Sequence, residues 1–268
     1  MYKDKNFYLN LFQVSETQLE RLAADGLRGG GSYCDLFFEN TSYNDLLLRD
    51  GIVSSGGFHI DYGVGIRVLK GDKTGYAYSE STDPRSMAEA ALAASKIAEG
   101  VTGGVEAVHC KTVTAPKDRY SYETDWRSSD ATRLVPWMEK LESKIAARDQ
   151  RIVKIIVSFS GQVSDILMFN SLGELTFETR PMGTLSASVV FSQNGKIENK
   201  NTSRSYRAGT EMLTESLLDE MADSIVSGID DRFAAKRPKG GQMPVVMGAG
   251  ASGILLHEAM GHAFEADF

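Results

Sequence analysis

The stretch that decides the fold runs from Ile152 to Gly195 and reads IVKIIVSFSGQVSDILMFNSLGELTFETRPMGTLSASVVFSQNG. Its β-branched and aromatic residues fall into four short runs, each typical of a strand. The runs are Ile152–Gly161, Asp165–Asn170, Leu175–Arg180 and Gly183–Gln193. The Asn194-Gly195 pair that follows is typical of a tight hairpin turn. Because strands this close together leave no room for crossover helices, the stretch predicts an antiparallel sheet.

A second strand-rich block lies towards the N-terminus, with turn dipeptides such as Asp50-Gly51 between its runs. Its predicted strands are Tyr33–Glu39, Leu46–Arg49, Gly63–Leu69 and Gly75–Tyr78. Other segments have the spacing or the composition of helices. They are Ser15–Asp25, Ser86–Glu99, 130–147 and Thr210–Ala235. The sequence therefore predicts an α+β fold, in which helices pack against an antiparallel sheet.

The composition changes at Lys236–Gly241, whose sequence KRPKGG is typical of a linker. We therefore expect an N-terminal α+β domain at residues 1–235 and a second region at residues 236–268. The second region is expected to hold a short apolar strand at Pro244–Met247, a glycine turn and a helix.

The overall composition excludes several classes of protein. The chain has 29 basic and 36 acidic residues and a net charge of −7, which argues against nucleic acid as the main ligand. No run of about 18 apolar residues could span a membrane, and the N-terminus lacks the apolar core of a secretion signal. Cys34 and Cys110 have no C-x-x-C spacing and are interpreted as inert, reduced thiols. These features predict a cytoplasmic protein.

The chemistry of the chain is concentrated in the motif H-E-x-x-x-H, formed by His257, Glu258 and His262. Two neutral imidazoles can hold a zinc ion that a third ligand and a water complete. The carboxylate beside the first histidine can take a proton from a water that attacks a carbonyl. A structural role for two histidines on an apolar helix is the alternative interpretation.

The spacing of the two histidines raises a geometric problem. They lie five residues apart, so on an ideal α-helix their side chains point about 140° away from each other. We expect them to converge through a local widening of the helix, such as a π-bulge. Gly261, immediately before the second histidine, would ease that distortion.

Gly253–Phe268 resembles the signature of the TldD/PmbA family, in which H-E-A-x-G-H precedes a short acidic stretch. Three upstream blocks are also similar to that family, in order and in spacing. They are Leu48–Gly51, Gly63–Val68 and Lys73–Ser79. The resemblance spans nearly the whole chain, and the intact H-E-x-x-x-H motif resembles the TldD branch, because PmbA (TldE) members typically lack the metal ligands.

The resemblance implies a zinc metallopeptidase that cleaves unstructured peptides or peptide precursors. It implies that His257 and His262 bind Zn²⁺, that Glu258 is the general base, and that the partner is a second copy or a TldE/PmbA-like subunit. The third zinc ligand of the family is a cysteine in its C-terminal half, so the resemblance implies that residues 236–268 are the truncated beginning of a catalytic domain. Nearby acids, Glu265 and Asp267, are the candidates to replace it here. The family's name as modulators of DNA gyrase has no counterpart in these residues.

Two other functions stay open from the sequence. Gly248–Gly253 matches G-x-G-x-x-G, which suits a nucleotide phosphate when it joins a strand to a helix. A non-catalytic module is the other alternative, in which the chain serves for dimerisation or docks extended peptides at a free strand edge.

Overall fold

The computed structural model describes residues 3–97, 107–115, 122–237 and 239–265. The helices are α1 (Lys5–Leu11), α2 (Glu16–Leu27), α3 (Pro84–Ile97), α4 (Ala131–Ala146), α5 (Glu215–Val226), α6 (Ile229–Ala234) and α7 (Ala251–Met260). The strands are β1 (Tyr33–Arg49), β2 (Ile52–Lys70), β3 (Lys73–Ser79), β4 (Thr112–Thr114), β5 (Ile152–Asn170), β6 (Glu174–Gln193) and β7 (Lys196–Tyr206). Short 3-10 helices lie at Trp126–Ser128, Thr210–Met212 and Gly261–Phe264. The predicted α+β class is confirmed.

The strands form one sheet in the order β3-β2-β1-β5-β6-β4, and β7 pairs with the other part of β6. All pairs are antiparallel except the short parallel pair of β4 and β6. The sequence predicted shorter strands than the structure contains, because polar residues such as Asn40–Asp45 interrupt the apolar pattern. This segment remains a strand because β2 and β5 pair with it on both sides.

The helices of the sheet-containing part pack on one face of the sheet. Alternate residues of β1, including Leu36, Phe38, Leu46 and Leu48, are buried on that face. One hydrophobic cluster lies under α1, α2 and α3, and a second lies under α4, α5 and α6. Ser15 starts α2 as the sequence predicts, through a capping box with Gln18.

The buried carboxylate of Asp165 connects the N-terminal segment, the 3-10 helix at Trp126–Ser128 and the strands β5 and β6. Asp165 in β5 is fully buried and accepts hydrogen bonds from Lys3 Nζ at 2.7 Å and from Arg127 Nη1 at 2.6 Å. Thr179 in β6 donates a third, and its hydroxyl also contacts the hydroxyl of Tyr8 in α1. The network ties the N-terminal segment and the loop before α4 to the middle of the sheet.

Two predicted elements are wrong in detail. The long helix predicted at Thr210–Ala235 is a 3-10 turn followed by α5 and α6, and it breaks at Gly228, whose φ of +69° is left-handed. Pro244–Met247 is not a strand: it has no partner strand among the described residues, and Val246 is 97% exposed. An apolar run of this length does not form a strand without a neighbour to take its backbone hydrogen bonds.

The chain divides into two compact units, Met1–Phe233 and Ala234–Phe268. The first contains the whole sheet, and the second contains α7 and the 3-10 helix after it. In the described ranges, every helix is too short or too polar to cross a lipid bilayer.

Candidate metal centre

The H-E-x-x-x-H motif lies at the end of α7, as the sequence predicts. Gly250 precedes the helix with a φ of +114°, a conformation that glycine adopts without strain. The α-helix ends at Met260, and the chain continues as a 3-10 helix over Gly261–Phe264. His257 and Glu258 therefore belong to the α-helix, whereas His262 belongs to the 3-10 helix.

The two imidazoles converge. The ring centroids of His257 and His262 lie 4.5 Å apart. No residue between Ala251 and Phe264 is π-helical, but the helix widens locally as expected: the N–H of Gly261 donates to the carbonyl of Leu256, five residues before it, as well as to that of His257. The backbone also departs from helical geometry at Met260, where φ is −133°. The turn between the two histidines is therefore not that of an ideal α-helix, and the two rings meet.

Gly261 is required for space and not for backbone freedom. Its φ of −58° and ψ of −46° are ordinary helical values that any residue adopts. A Cβ atom at this position would lie 2.9 Å from Nδ1 and 3.4 Å from Cγ of His257. A side chain here would push the first imidazole away from the second.

Two carboxylates flank the second histidine. Glu265 Oε1 lies 2.9 Å from Nδ1 of His262, and Glu258 Oε2 lies 3.2 Å from Nε2 of the same ring. One potential ligand atom from each of His257, His262 and Glu265 falls within a cluster 4.8 Å across. Two imidazole nitrogens and a carboxylate oxygen are donors that zinc accepts, so the residues present fit a zinc ion.

The structure describes four of the five side chains that the sequence predicts for the metal centre. The residues His257, Glu258 and His262 are brought together, and Glu265 of the two candidate acids lies beside them. Asp267 lies outside the described residues. The contact of Glu265 with His262 was not foreseen, although their spacing of three residues is a signal for it in a 3-10 helix, which repeats every three residues.

The cysteines have other surroundings. Cys34 is fully buried under α2, and burial raises the pKa of its thiol to about 12. Burial and the neighbouring Glu16 raise the pKa of Cys110. Thiols that resist ionisation at neutral pH are poor metal ligands, which agrees with their interpretation as inert residues.

The glycine turn at Gly248–Gly253 lacks the context of a nucleotide site. The residues before it, 242–249, include no strand. The hydroxyl of Ser252 donates to the carbonyl of Gly248 and closes the turn from within. The match to G-x-G-x-x-G is accounted for by the entry into α7.

Two family models match the first unit. Residues 34–98 match the PmbA/TldA metallopeptidase domain 1, and residues 124–233 match the PmbA/TldA metallopeptidase central domain. A Metalloprotease TldD homolog from Haemophilus influenzae is 32% identical over 241 residues, which covers 88% of this chain and 50% of the relative. A Metalloprotease from Methanothermobacter thermautotrophicus is 27% identical over 239 residues and is covered to 51%. The chain spans about half the length of the curated relatives it matches.

Solved structures share the fold. A protein described as a modulator of DNA gyrase from Thermotoga maritima superposes with a TM-score of 0.61 at 19% identity, over 84% of this chain and 50% of its own. TldE from Thermococcus kodakarensis superposes with a TM-score of 0.59 at 13% identity, over 80% and 47%. At these identities the likeness concerns the fold alone.

The fold and the family models together define the class of protein: the chain belongs to the PmbA/TldD metallopeptidase family. Within this family it is TldD-like, since its curated relatives include several TldD homologs. Membership of a metallopeptidase family implies a metal cofactor.

Proposed function

We propose that this chain supplies the zinc-binding helix of a TldD-like peptidase that hydrolyses peptide bonds in unstructured peptides or peptide precursors. The observation that supports the proposal is the convergence of His257 and His262 across a change of helix type. His257 is exposed and His262 is partly exposed, so burial does not account for their proximity, whereas a zinc ion bound by both rings would.

In this proposal each residue of the motif has one role. His257 and His262 hold the zinc ion through ring nitrogens. When bound, zinc polarises the scissile carbonyl and lowers the pKa of water. Glu258 is the general base: its carboxylate accepts a proton from the attacking water and then delivers it to the leaving amine nitrogen. Its side chain is 61% exposed and is therefore accessible to substrate.

The rest of the centre is proposed to come from elsewhere in the assembled protein. Zinc in catalytic sites takes three protein ligands, of which His257 and His262 would supply two. Glu265, the remaining potential donor of the cluster, lies against His262. We propose a dimer with a second copy or with a TldE-like subunit, since TldE from Thermococcus kodakarensis shares this fold. The unpaired thiols of Cys34 and Cys110 suit the reducing cytoplasm.

Metal content tests the proposal first. The purified chain is stripped with a chelator, reloaded with zinc, desalted and analysed by plasma mass spectrometry. We expect about one zinc per chain, and a loss of that zinc in His257→Ala and in His262→Ala. His59→Ala, which removes a histidine from β2, is the matched control and should keep the metal. Wild-type protein without zinc, or equal retention by all variants, would overturn the proposed centre.

Hydrolysis is the second test and uses the complete protein with its partner subunit. A set of internally quenched unstructured peptides is incubated with wild type and with Glu258→Gln. We expect Glu258→Gln to keep its zinc and to lose cleavage by at least two orders of magnitude, because general-base catalysis contributes about 10²–10⁴-fold. Full activity of this variant would refute the role of Glu258.

A further inference from the structure

The ring of His262 is held from both sides. Its Nδ1 lies 2.9 Å from Glu265 Oε1, and its Nε2 lies 3.2 Å from Glu258 Oε2. A neutral imidazole carries a single N–H, so it can donate to only one of these carboxylates. An N–H on Nδ1 makes the shorter of the two contacts the hydrogen bond, with Glu265 as its acceptor. The lone pair of Nε2 then points to the side of the ring where Glu258 lies.

The backbone supports the same contact. Glu265 follows the 3-10 helix, with extended φ and ψ of −76° and 154°, and its N–H donates to the carbonyl of His262 at 3.3 Å. Side chain and backbone therefore link the same two residues. Residues three apart lie one above the other in a 3-10 helix, so Glu265 at the end of this helix lies next to His262, and its carboxylate reaches Nδ1 of that ring.

We propose that Glu265 is a positioning residue, which holds His262 in the Nδ1–H tautomer and so presents Nε2 to the metal. This inference rests on the zinc centre of the proposed function and adds a partner to it. Metal-binding histidines usually donate their second nitrogen to a carboxylate or carbonyl, which fixes the ring and raises its basicity. Glu265 fills that place for His262, whereas Glu258 keeps the separate role of proton transfer.

A direct ligand role for Glu265 is the competing possibility, and glutamine separates the two. The amide oxygen of Glu265→Gln can still accept from Nδ1–H, but it is a much poorer zinc ligand than a carboxylate. A positioning role therefore tolerates glutamine and is lost with alanine. A ligand role is lost with both.

The experiment measures the zinc dissociation constant of the chain by competition with a chromophoric chelator. We expect Glu265→Gln to bind within about threefold of wild type and Glu265→Ala to bind roughly 10–100-fold more weakly, the usual cost of losing such a partner. Glu89→Ala, which removes an exposed carboxylate from α3, is the matched control for the lost charge. An equal loss in Glu265→Gln and Glu265→Ala, or wild-type affinity in Glu265→Ala, would overturn the proposal.

A readout without metal distinguishes a failure of this inference from a failure of the proposed function. Nitrogen-15 NMR of the histidine rings in the metal-free chain distinguishes Nδ1–H from Nε2–H. We expect His262 to be the Nδ1–H tautomer in wild type and in Glu265→Gln, and to lose that preference in Glu265→Ala. An Nε2–H ring in wild type would contradict the role of Glu265 even if zinc binds. The expected tautomer in a chain that binds no zinc would instead refute only the proposed function.

Discussion

The indole of the buried Trp126 packs against two glycines of the sheet, Gly161 and Gly183, and replacement of one of these glycines tests this packing. Gly161 in β5 and Gly183 in β6 are cross-strand partners. Trp126 lies over them, is 1% exposed, and donates from Nε1 to the carbonyl of Ala208 at 2.8 Å. A Cβ atom at Gly183 would lie 2.3 Å from Cζ2 of the indole. Gly183→Ala therefore forces the ring to move.

The expected loss of stability follows from this distance. Carbon atoms in contact are about 3.5–4.0 Å apart, so the indole must shift by more than about 1 Å. Overpacking of this kind costs about 1–3 kcal/mol, and the strained hydrogen bond to Ala208 adds about 1 kcal/mol. We expect Gly183→Ala to lower the free energy of unfolding by about 2–4 kcal/mol. For a unit of this size the midpoint temperature should fall by roughly 5–15 °C.

Urea denaturation followed by circular dichroism measures the change, and Gly57→Ala in β2 is the matched control. No heavy atom lies within 4 Å of a Cβ built at Gly57, so this variant should stay within about 0.5 kcal/mol of wild type. A Gly183→Ala variant as stable as Gly57→Ala would refute the packing of Trp126 on the glycine pair.

Three further experiments, two substitutions and one labelling reaction, have definite expected results. Gly261→Ala should weaken zinc binding by at least tenfold in the chelator assay, because its Cβ displaces the imidazole of His257. The urea midpoint should stay unchanged, since that imidazole is exposed. The control Gly253→Ala, which has open space around its Cβ, should leave both the zinc affinity and the urea midpoint unchanged. Asp165→Asn should lower the free energy of unfolding in urea by about 3 kcal/mol, since Arg127 and Lys3 lose a buried charge partner. A loss below about 1 kcal/mol would contradict this role of Asp165. Cys34, whose pKa burial raises to about 12, should resist iodoacetamide at pH 8 in the native protein and react after unfolding, and mass spectrometry would detect native labelling that speaks against this burial.

The sheet could be predicted from sequence wherever local signals coincide with the observed structure. The Asn194-Gly195 turn is formed with φ values of +49° and +77°, which connects β6 to β7 as that dipeptide favours. Asp83 starts α3 by accepting from the backbone N–H of Ser86 at 3.0 Å, close to the predicted start. Such signals act within a few residues and need no tertiary contact.

What was missed depends on contacts between distant segments. The polar segment Asn40–Asp45 is a strand because β2 pairs with it on one side and β5, more than 100 residues later, pairs with it on the other. Helix α1 was not predicted, since it is short and depends on packing: Phe12, just after its end, lies 5.4 Å from Phe38 between ring centroids. A window of local sequence contains neither partner.

The candidate site was predicted in its residues and not in its geometry. Histidine and glutamate at this spacing indicate a metal centre, because imidazoles bind zinc and a carboxylate can take a proton from water. The way in which His257 and His262 meet depends on one backbone departure at Met260 and on the absence of a Cβ at Gly261. A count of residues per turn on an ideal helix contains neither feature.

The central pairing of β1 with β5 has a consequence for how this unit can be inherited. The segment matched as domain 1 and the segment matched as the central domain meet at this pair. The cluster under α4 takes Leu46 and Leu48 from β1, whereas the cluster under α2 takes Leu167 and Phe169 from β5. Each segment thus completes the other's core. A gene that exchanged one of them alone would leave apolar side chains of both without their partners, so recombination between relatives should keep the two segments together as one heritable block.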